Sequence, residues 1–309
     1  MDSPPAYLKL FRSGELQSRA QRALEALADC ALCPRACHAD RVRGAGKVCR
    51  TGRQAVVSSA FPHFGEERCL TGTNGSGTIF FGWCNLGCAF CQNWELSAEG
   101  EGREVTAGEL AELMLQLQER GCHNVNLVSP SHVVPQILEA LAIAAGRGLC
   151  LPLVYNTGGY DTLEALAVLD GIIDIYMPDF KFWDSEPARR FAKAPDYPQV
   201  VRNAIREMHR QVGTLALDEH GMARRGVLLR HLVMPGGVAG TRSVMEWVAN
   251  EIGPDTYVNL MAQYHPAGRA AEFPELARTI SAAEFKQALE DARSCGLHRL
   301  DRGSLRSLR

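Results

Sequence analysis

Cys84, Cys88 and Cys91 stand within eight residues of one another in the stretch TIFFGWCNLGCAFCQNWE, residues 78–95. Three thiolates on one short loop can bind a single metal centre. Structural zinc sites are closed by four ligands, and iron–sulfur clusters are most often held by four cysteines. Three cysteines therefore leave one coordination position open, which suits catalysis. The alternative is a structural zinc loop completed by a distant Cys or His. Gly82 and Gly87 are expected to relax the backbone so that it can wrap the thiols. A second group, Cys30, Cys33, Cys37 and Cys49, lies upstream with the spacing C-x2-C-x3-C-x11-C. Its four thiols are a candidate second metal site. Zinc, a second iron–sulfur cluster and free thiols in a loop are the three readings. Cys69, Cys122, Cys150 and Cys295 stand alone and read as small buried apolar residues.

These thiols need elements to position them. The three-cysteine loop begins two residues after an apolar run, Thr78-Ile79-Phe80-Phe81, that reads as a strand. Further strands are expected at 124–128, 151–155, 172–177, 227–233 and 257–262, with nearly continuous apolar character. Helices fall between them. Residues 106–120 open with a capping box, Thr106 and Glu109, and Ser281 with Glu284 forms another. Residues 135–145 start with Pro in a first turn, 162–169 carry a short apolar face, and 186–211 are helical in patches interrupted by prolines. The first thirty residues read as a helix with Leu16, Ala20, Ala23, Leu24 and Leu27 on one stripe. Residues 53–77 read as loop and the C-terminal RLDRGSLRSLR as a solvated tail. Strand alternating with helix implies an α/β fold with a parallel sheet, either doubly wound or a partial barrel. In both, chemistry belongs at the carboxyl ends of the strands, where the cysteine loop falls.

Composition sets bounds on function. A chain of 309 residues can bury a large core. A net charge of −2 gives no support to a polyanionic partner such as nucleic acid. The N-terminus lacks the apolar segment of a secretion signal, and no apolar run nears the roughly 18 residues of a membrane span. The expectation is a cytoplasmic protein with no membrane partner. In a reducing compartment, eleven cysteines point to metal or redox chemistry rather than disulfides. A Rossmann dehydrogenase is excluded early, because no G-x-G-x-x-G follows the first strand.

C-x3-C-x2-C after a first strand, with the aromatic Phe90 before the third Cys, resembles the motif of the radical S-adenosylmethionine (SAM) superfamily. The resemblance extends furthest toward the pyruvate formate-lyase activating enzyme and its uncharacterised relatives. YNTGGYD (155–161) resembles a third-strand segment with an Asp-Thr pair, here Asn156-Thr157. IYMPDFKF (175–182) is similar to a fourth-strand segment and matches its Met, Asp and Lys at Met177, Asp179 and Lys181. LLRHLVMPG (228–236) resembles the fifth-strand Arg segment at Arg230, and QYHPAG (263–268) the sixth-strand His at His265. The second strand departs: where the family has a Gly-Gly-Glu-like element, this chain has LVSPSHVVP (127–135). Ser129 and Ser131 then offer the acceptors, with His132 expected at the mouth.

The resemblance implies a partial (β/α)6 barrel over residues 69–270, a cysteine-rich metal-binding extension over 1–68 and a C-terminal helix and tail over 271–309. It implies a [4Fe-4S] cluster on Cys84, Cys88 and Cys91, and S-adenosylmethionine cleaved by one electron to a 5′-deoxyadenosyl radical that abstracts hydrogen. It further implies a pocket in which Phe90, Gln92 and Asn93 lie along the adenine. Ser129, Asn156, Thr157, Asp179, Arg230 and His265 line the methionine end, and a monovalent cation sits near the carboxylate. The implied partners are an electron donor such as a flavodoxin or ferredoxin, and a protein substrate such as a glycyl radical enzyme. Another peptide or a small molecule is the alternative substrate. A non-catalytic iron–sulfur or metal-binding scaffold is the alternative of another class.

Overall fold

The computed structural model describes residues 4–301, 303 and 304. Its strands are β1 (Ala55–His63), β2 (Ser76–Phe81), β3 (Arg103–Val105), β4 (Val125–Val128), β5 (Leu153–Thr157), β6 (Ile175–Pro178), β7 (Ala216–Leu217), β8 (Ala223–Leu232) and β9 (Tyr257–Met261). β2, β4, β5, β6, β8 and β9 pair in parallel in that order, each joined to the next through helix on the outside. This is an open α/β sheet of six parallel strands, a partial (β/α)6 barrel. All six were legible as apolar runs, because strands buried on both faces carry few polar interruptions.

β1 and β3 were not anticipated. β1 runs antiparallel to β2 and carries β3 on its far side, extending the sheet within a stretch expected to be loop. Ala55, Val56 and Val57 are buried, while the rest of the strand is partly or fully exposed. A strand with so short an apolar face gives little periodic signal. The N-terminal helix is broken in two at Ser13-Gly14, where Gly14 takes a φ of 79°, giving helices Tyr7–Arg12 and Glu15–Glu25. Both lie on the core: Tyr7 and Leu16 are fully buried in the cluster that includes Ile137, Leu141 and Leu166.

The prolines of 186–211 divide rather than disrupt. Pro195 lies between helices Ser185–Ala192 and Tyr197–Val212, and Pro198 sits in the first turn of the second. Both expected capping boxes form, Thr106 with Glu109 and Ser281 with Glu284, each side chain satisfying the other residue's backbone N–H.

The amino-terminal end of the barrel interior is filled by the segment after β1. Leu70 is fully buried against Val154, Ile175, Met177 and Leu228, and its carbonyl accepts from Asn124 Nδ2 at 2.9 Å. That packing leaves the carboxyl ends of the strands as the open end. The C-terminal tail is not simply solvated. The Asp301 N–H donates to Val258 O at 2.9 Å, and the Ser304 hydroxyl accepts from Leu260 N–H at 2.9 Å, so this segment pairs along β9. Arg302 and residues 305–309 lie outside the described residues. Of the solitary cysteines, Cys69 and Cys122 are buried as expected, whereas Cys150 is exposed and Cys295 half-buried. No helix among the described residues is long and apolar enough to cross a membrane.

Candidate cofactor site at the strand ends

The cysteine loop leaves β2 at Phe81 and is pinned from several sides. The Trp83 N–H donates to Leu96 O at 2.7 Å, the Ala89 N–H to Phe191 O at 2.7 Å, and Asn85 Nδ2 to Tyr160 O at 2.6 Å. Leu86 and Phe90 plug into the apolar cluster with Phe182 and Tyr264, and the Phe90 ring meets Phe182 edge-on at 5.7 Å. The glycines act differently from expectation. Neither Gly82 nor Gly87 has positive φ; that conformation falls to Trp83, at 67°. Gly82 is required for space, since a Cβ there would stand 2.7 Å from Val56 Cγ1.

Cys84, Cys88 and Cys91 open onto a cavity of about 250 Å³ at the carboxyl ends of the parallel strands. Phe90, Ser129, Asn156, Thr157, Asp179 and Arg230 line the same cavity. Residues from five separate strand ends thus meet at one place. Burial pushes the Cys84 thiol up to about 11 and the Cys88 thiol to about 12, with Lys181 partly offsetting both. Buried thiols so disposed ionise when a cationic centre binds them. Donors already face the sulfurs: the Leu86 N–H at 3.4 Å from Cys84 Sγ, and the Ser97 hydroxyl at 3.1 Å from Cys91 Sγ. Among the described residues no three His, Cys, Asp or Glu side chains converge on one ion. Three thiols on an open cavity leave a coordination position free, which suits a cluster with one exchangeable iron better than a closed zinc site.

The polar side of the cavity is a charged network. Arg230 donates through Nε to Asp179 at 2.8 Å and through Nη2 to Asn156 Oδ1 at 2.8 Å, and its Nη1 lies 3.4 Å from Glu66. Asp179 also accepts from Lys181 at 2.5 Å. Burial alone would raise the Asp179 carboxyl, but Arg230 and Lys181 more than offset it and hold it low. Arg230 and Asp179, both expected along the methionine end of the pocket, are thus held by the protein itself: Arg230 by its own acceptors and Asp179 between two basic side chains. Ser131 shares a 2.9 Å hydrogen bond with Thr157, whose hydroxyl donates to buried Asp161 at 2.6 Å.

Other expected residues fall elsewhere. His132 is not at the mouth: it is buried, with Nε2 3.0 Å from Gly82 O, and burial first, then Arg41, pushes it down to about 4. His265 is exposed at the rim, where its Nδ1 lies 3.3 Å from Gln92 Nε2. Ser129 has a φ of 59°, so a serine makes the left-handed turn that glycine would make more cheaply.

Sequence reasoning missed Glu66 and Glu67, adjacent acids brought under the cavity by the unanticipated turn after β1. Glu66 accepts from Asn126 at 3.1 Å and Glu67 from Asn259 at 2.7 Å. Burial, with Glu66 adding and Arg230 opposing, raises the Glu67 carboxyl to about 7. Two acids inside a segment read as loop gave no signal of their own.

The upstream cysteines form a compact knuckle. Cys30 and Cys49 are buried, Cys33 and Cys37 half-buried. Burial pushes the Cys33 thiol up to about 12, with Cys49 and Cys30 beside it adding to the rise. Burial acts against Cys37 too, but the backbone of Lys47 and Ala39 hydrogen-bonds its sulfur and draws the thiol below its ordinary value.

Comparison with known proteins places the domain. Residues 78–220 match the Radical SAM superfamily model. An uncharacterized protein of Methanocaldococcus jannaschii is 29% identical over 299 residues, covering 94% of this chain and 82% of that protein. Among solved structures, a radical SAM methyltransferase from Sphaerobacter thermophilus aligns with a TM-score of 0.49 at 16% identity, over 75% of this chain and 68% of that one. HydG, a maturase of the [FeFe]-hydrogenase, aligns at 0.48 and 13% identity, over 71% of this chain and 48% of that one. The matched span opens within β2 and takes in all three cysteines of the loop, so residues 78–220 are similar to the radical SAM superfamily domain.

Proposed function

We propose that this protein is a radical SAM enzyme that removes a hydrogen atom from its substrate. The observation that carries the reading is the convergence of Cys84, Cys88 and Cys91 with Ser129, Asn156, Thr157, Asp179 and Arg230 on one cavity at the strand ends. When bound, a [4Fe-4S] cluster on the three thiolates supplies the electron that cleaves S-adenosylmethionine. The chain's own residues hold and order the reactants. The Leu86 N–H and the Ser97 hydroxyl steady two of the sulfurs. Asn156 and Asp179, locked by Arg230, and Thr157, locked by Ser131 and Asp161, present a fixed polar wall at one end of the cavity, and Phe81, Phe90 and Leu96 give it an apolar wall that excludes water. A carrier without catalysis has no use for such a wall.

Within that class we read the substrate as a peptide, with a glycyl residue of a partner enzyme first. The support is the ordered resemblance at Asn156-Thr157, Asp179, Lys181, Arg230 and His265 to the activating enzymes, with the cytoplasm as the working compartment. The electron donor in this reading is an acidic one-electron carrier. Exposed Lys47, Arg50 and Lys193 border the outer side of the cysteine loop and offer it matching charge. The test is formation of 5′-deoxyadenosine by anaerobically reconstituted, reduced protein. Cys88→Ala is expected to abolish it, and robust turnover by cluster-free Cys88→Ala protein would sink the assignment. Transfer of deuterium from an α-deuterated glycyl peptide into 5′-deoxyadenosine supports the activase reading; no transfer, with cleavage intact, removes it.

A further inference from the structure

The knuckle built by Cys30, Cys33, Cys37 and Cys49 encloses a cation that no carboxylate among the described residues balances. Arg41 is 1% exposed, and it donates only to backbone carbonyls and a thiol among the described residues. Its Nε donates to Thr51 O at 2.8 Å, and its Nη2 to His132 O at 2.8 Å and Gly52 O at 3.4 Å. Its Nη1 points at Cys30 Sγ, 3.5 Å away. No carboxylate among the described residues pairs with it. A buried guanidinium without a counter-charge is costly, and the nearest groups able to become anionic are the cysteines.

The sulfurs are also provided with donors. The backbone of Arg35 hydrogen-bonds Cys33, that of Lys47 and Ala39 hydrogen-bonds Cys37, and Arg41 serves Cys30. Cys49 is wrapped by a tight loop that closes from Gly46 N–H to Thr51 O at 3.0 Å, and a Cβ on Gly46 would stand 2.6 Å from Cys49 Sγ. N–H groups aimed at sulfur are what a metal-bound thiolate uses to spread its charge. The knuckle abuts the loop of the other cysteines. Arg35 Nε donates to Asn85 O at 2.9 Å, the Asn85 side chain hydrogen-bonds Cys33, and Asn85 directly follows Cys84.

We propose that Cys30, Cys33, Cys37 and Cys49 hold a second iron–sulfur cluster, anionic as a tetrathiolate, with Arg41 as its buried counter-charge and Asn85 separating it from Cys84. Zinc is the alternative occupant; what favours a cluster is the contact, through Arg35 and Asn85, with the loop of Cys84, Cys88 and Cys91, where a redox centre has a use and a zinc ion has none.

The site stands independently of the radical SAM reading, and metal content tests it without turnover. Anaerobically reconstituted full-length protein is expected to carry about eight irons. The variant Cys84→Ala/Cys88→Ala/Cys91→Ala should keep about four, with a cluster signal in its Mössbauer spectrum. Cys33→Ser and Cys37→Ser, each checked for native circular dichroism, should lose the same four. In the triple-alanine background, Arg41→Lys should retain the cluster, and Arg41→Met should lose it or lower its reduction potential. Zinc bound in its place, or no iron left in the triple-alanine variant, overturns the cluster. Unchanged iron and potential in Arg41→Met overturns the counter-charge.

Discussion

Arg230 shows how much one side chain at the cavity holds together. It ties Asp179, Asn156 and Glu66, residues from three separate parts of the chain. Its removal leaves two carboxylates without their shared cation in a low-dielectric site. Arg230→Met is therefore expected to cost about 3–5 kcal/mol, read as a shift in the denaturant midpoint at constant slope. A loss below about 1 kcal/mol, the range of a surface pair, would mean that water screens the network after all. His231 gives a prediction in pH. It is buried, its two ring nitrogens lie 2.6 Å from Phe180 O and 2.9 Å from Thr241 Oγ1, and burial pushes it down to about 4. The unfolded chain takes up the proton first as pH falls, so this histidine's contribution is intact above about 6.5 and lost progressively toward about 4. His231→Asn should flatten that part of the stability–pH curve relative to wild type. An unaltered slope between those values would show that another group governs it.

At the level of elements, what was legible in the sequence follows from burial. The six parallel strands are apolar on both faces, so each was visible as a run, and the cysteine loop was visible because its thiols are packed into so few residues. β1 stayed hidden because only Ala55, Val56 and Val57 of its nine residues are buried, and Glu66 and Glu67 stayed hidden with it, since nothing marked the following turn as reaching under the cavity. The pocket residues on strand ends were found through resemblance rather than periodicity. Lone polar residues such as Asn156 and Asp179 carry no pattern, and that Arg230 is bound by other protein side chains could only be seen in three dimensions. The helix Leu163–Leu169 makes the point testable. Thr162 caps it by accepting from the Ala165 N–H at 3.2 Å, and the same hydroxyl donates to Leu32 O at 3.1 Å, between Cys30 and Cys33. Thr162→Ala should cost about 1 kcal/mol as a lost cap. Because the hydroxyl also anchors the knuckle, hydrogen exchange should quicken at Cys30–Cys33 as well as at Ala165; a change confined to the helix would show that the knuckle holds itself.

For the molecule as a whole, the sheet has two ends, and they are finished differently. At one, β3 offers only three residues, Arg103–Val105, two of them exposed. At the other lies β9, whose apolar residues Val258 and Leu260 are fully buried. There the chain returns after its last long helix and pairs with the strand at Leu300 and Asp301, with Tyr257 donating to Asp301 at 3.0 Å and Ser304 donating to Asn259 Oδ1 at 3.0 Å. An apolar border strand with its amides free is a template for a further strand from another molecule. The returning segment therefore works as a guard against self-association as much as a brace. Ending the chain at His298 should leave the barrel folded by circular dichroism while making it grow with concentration in light scattering, and a truncated protein that stays monodisperse would show that β9 needs no such cover.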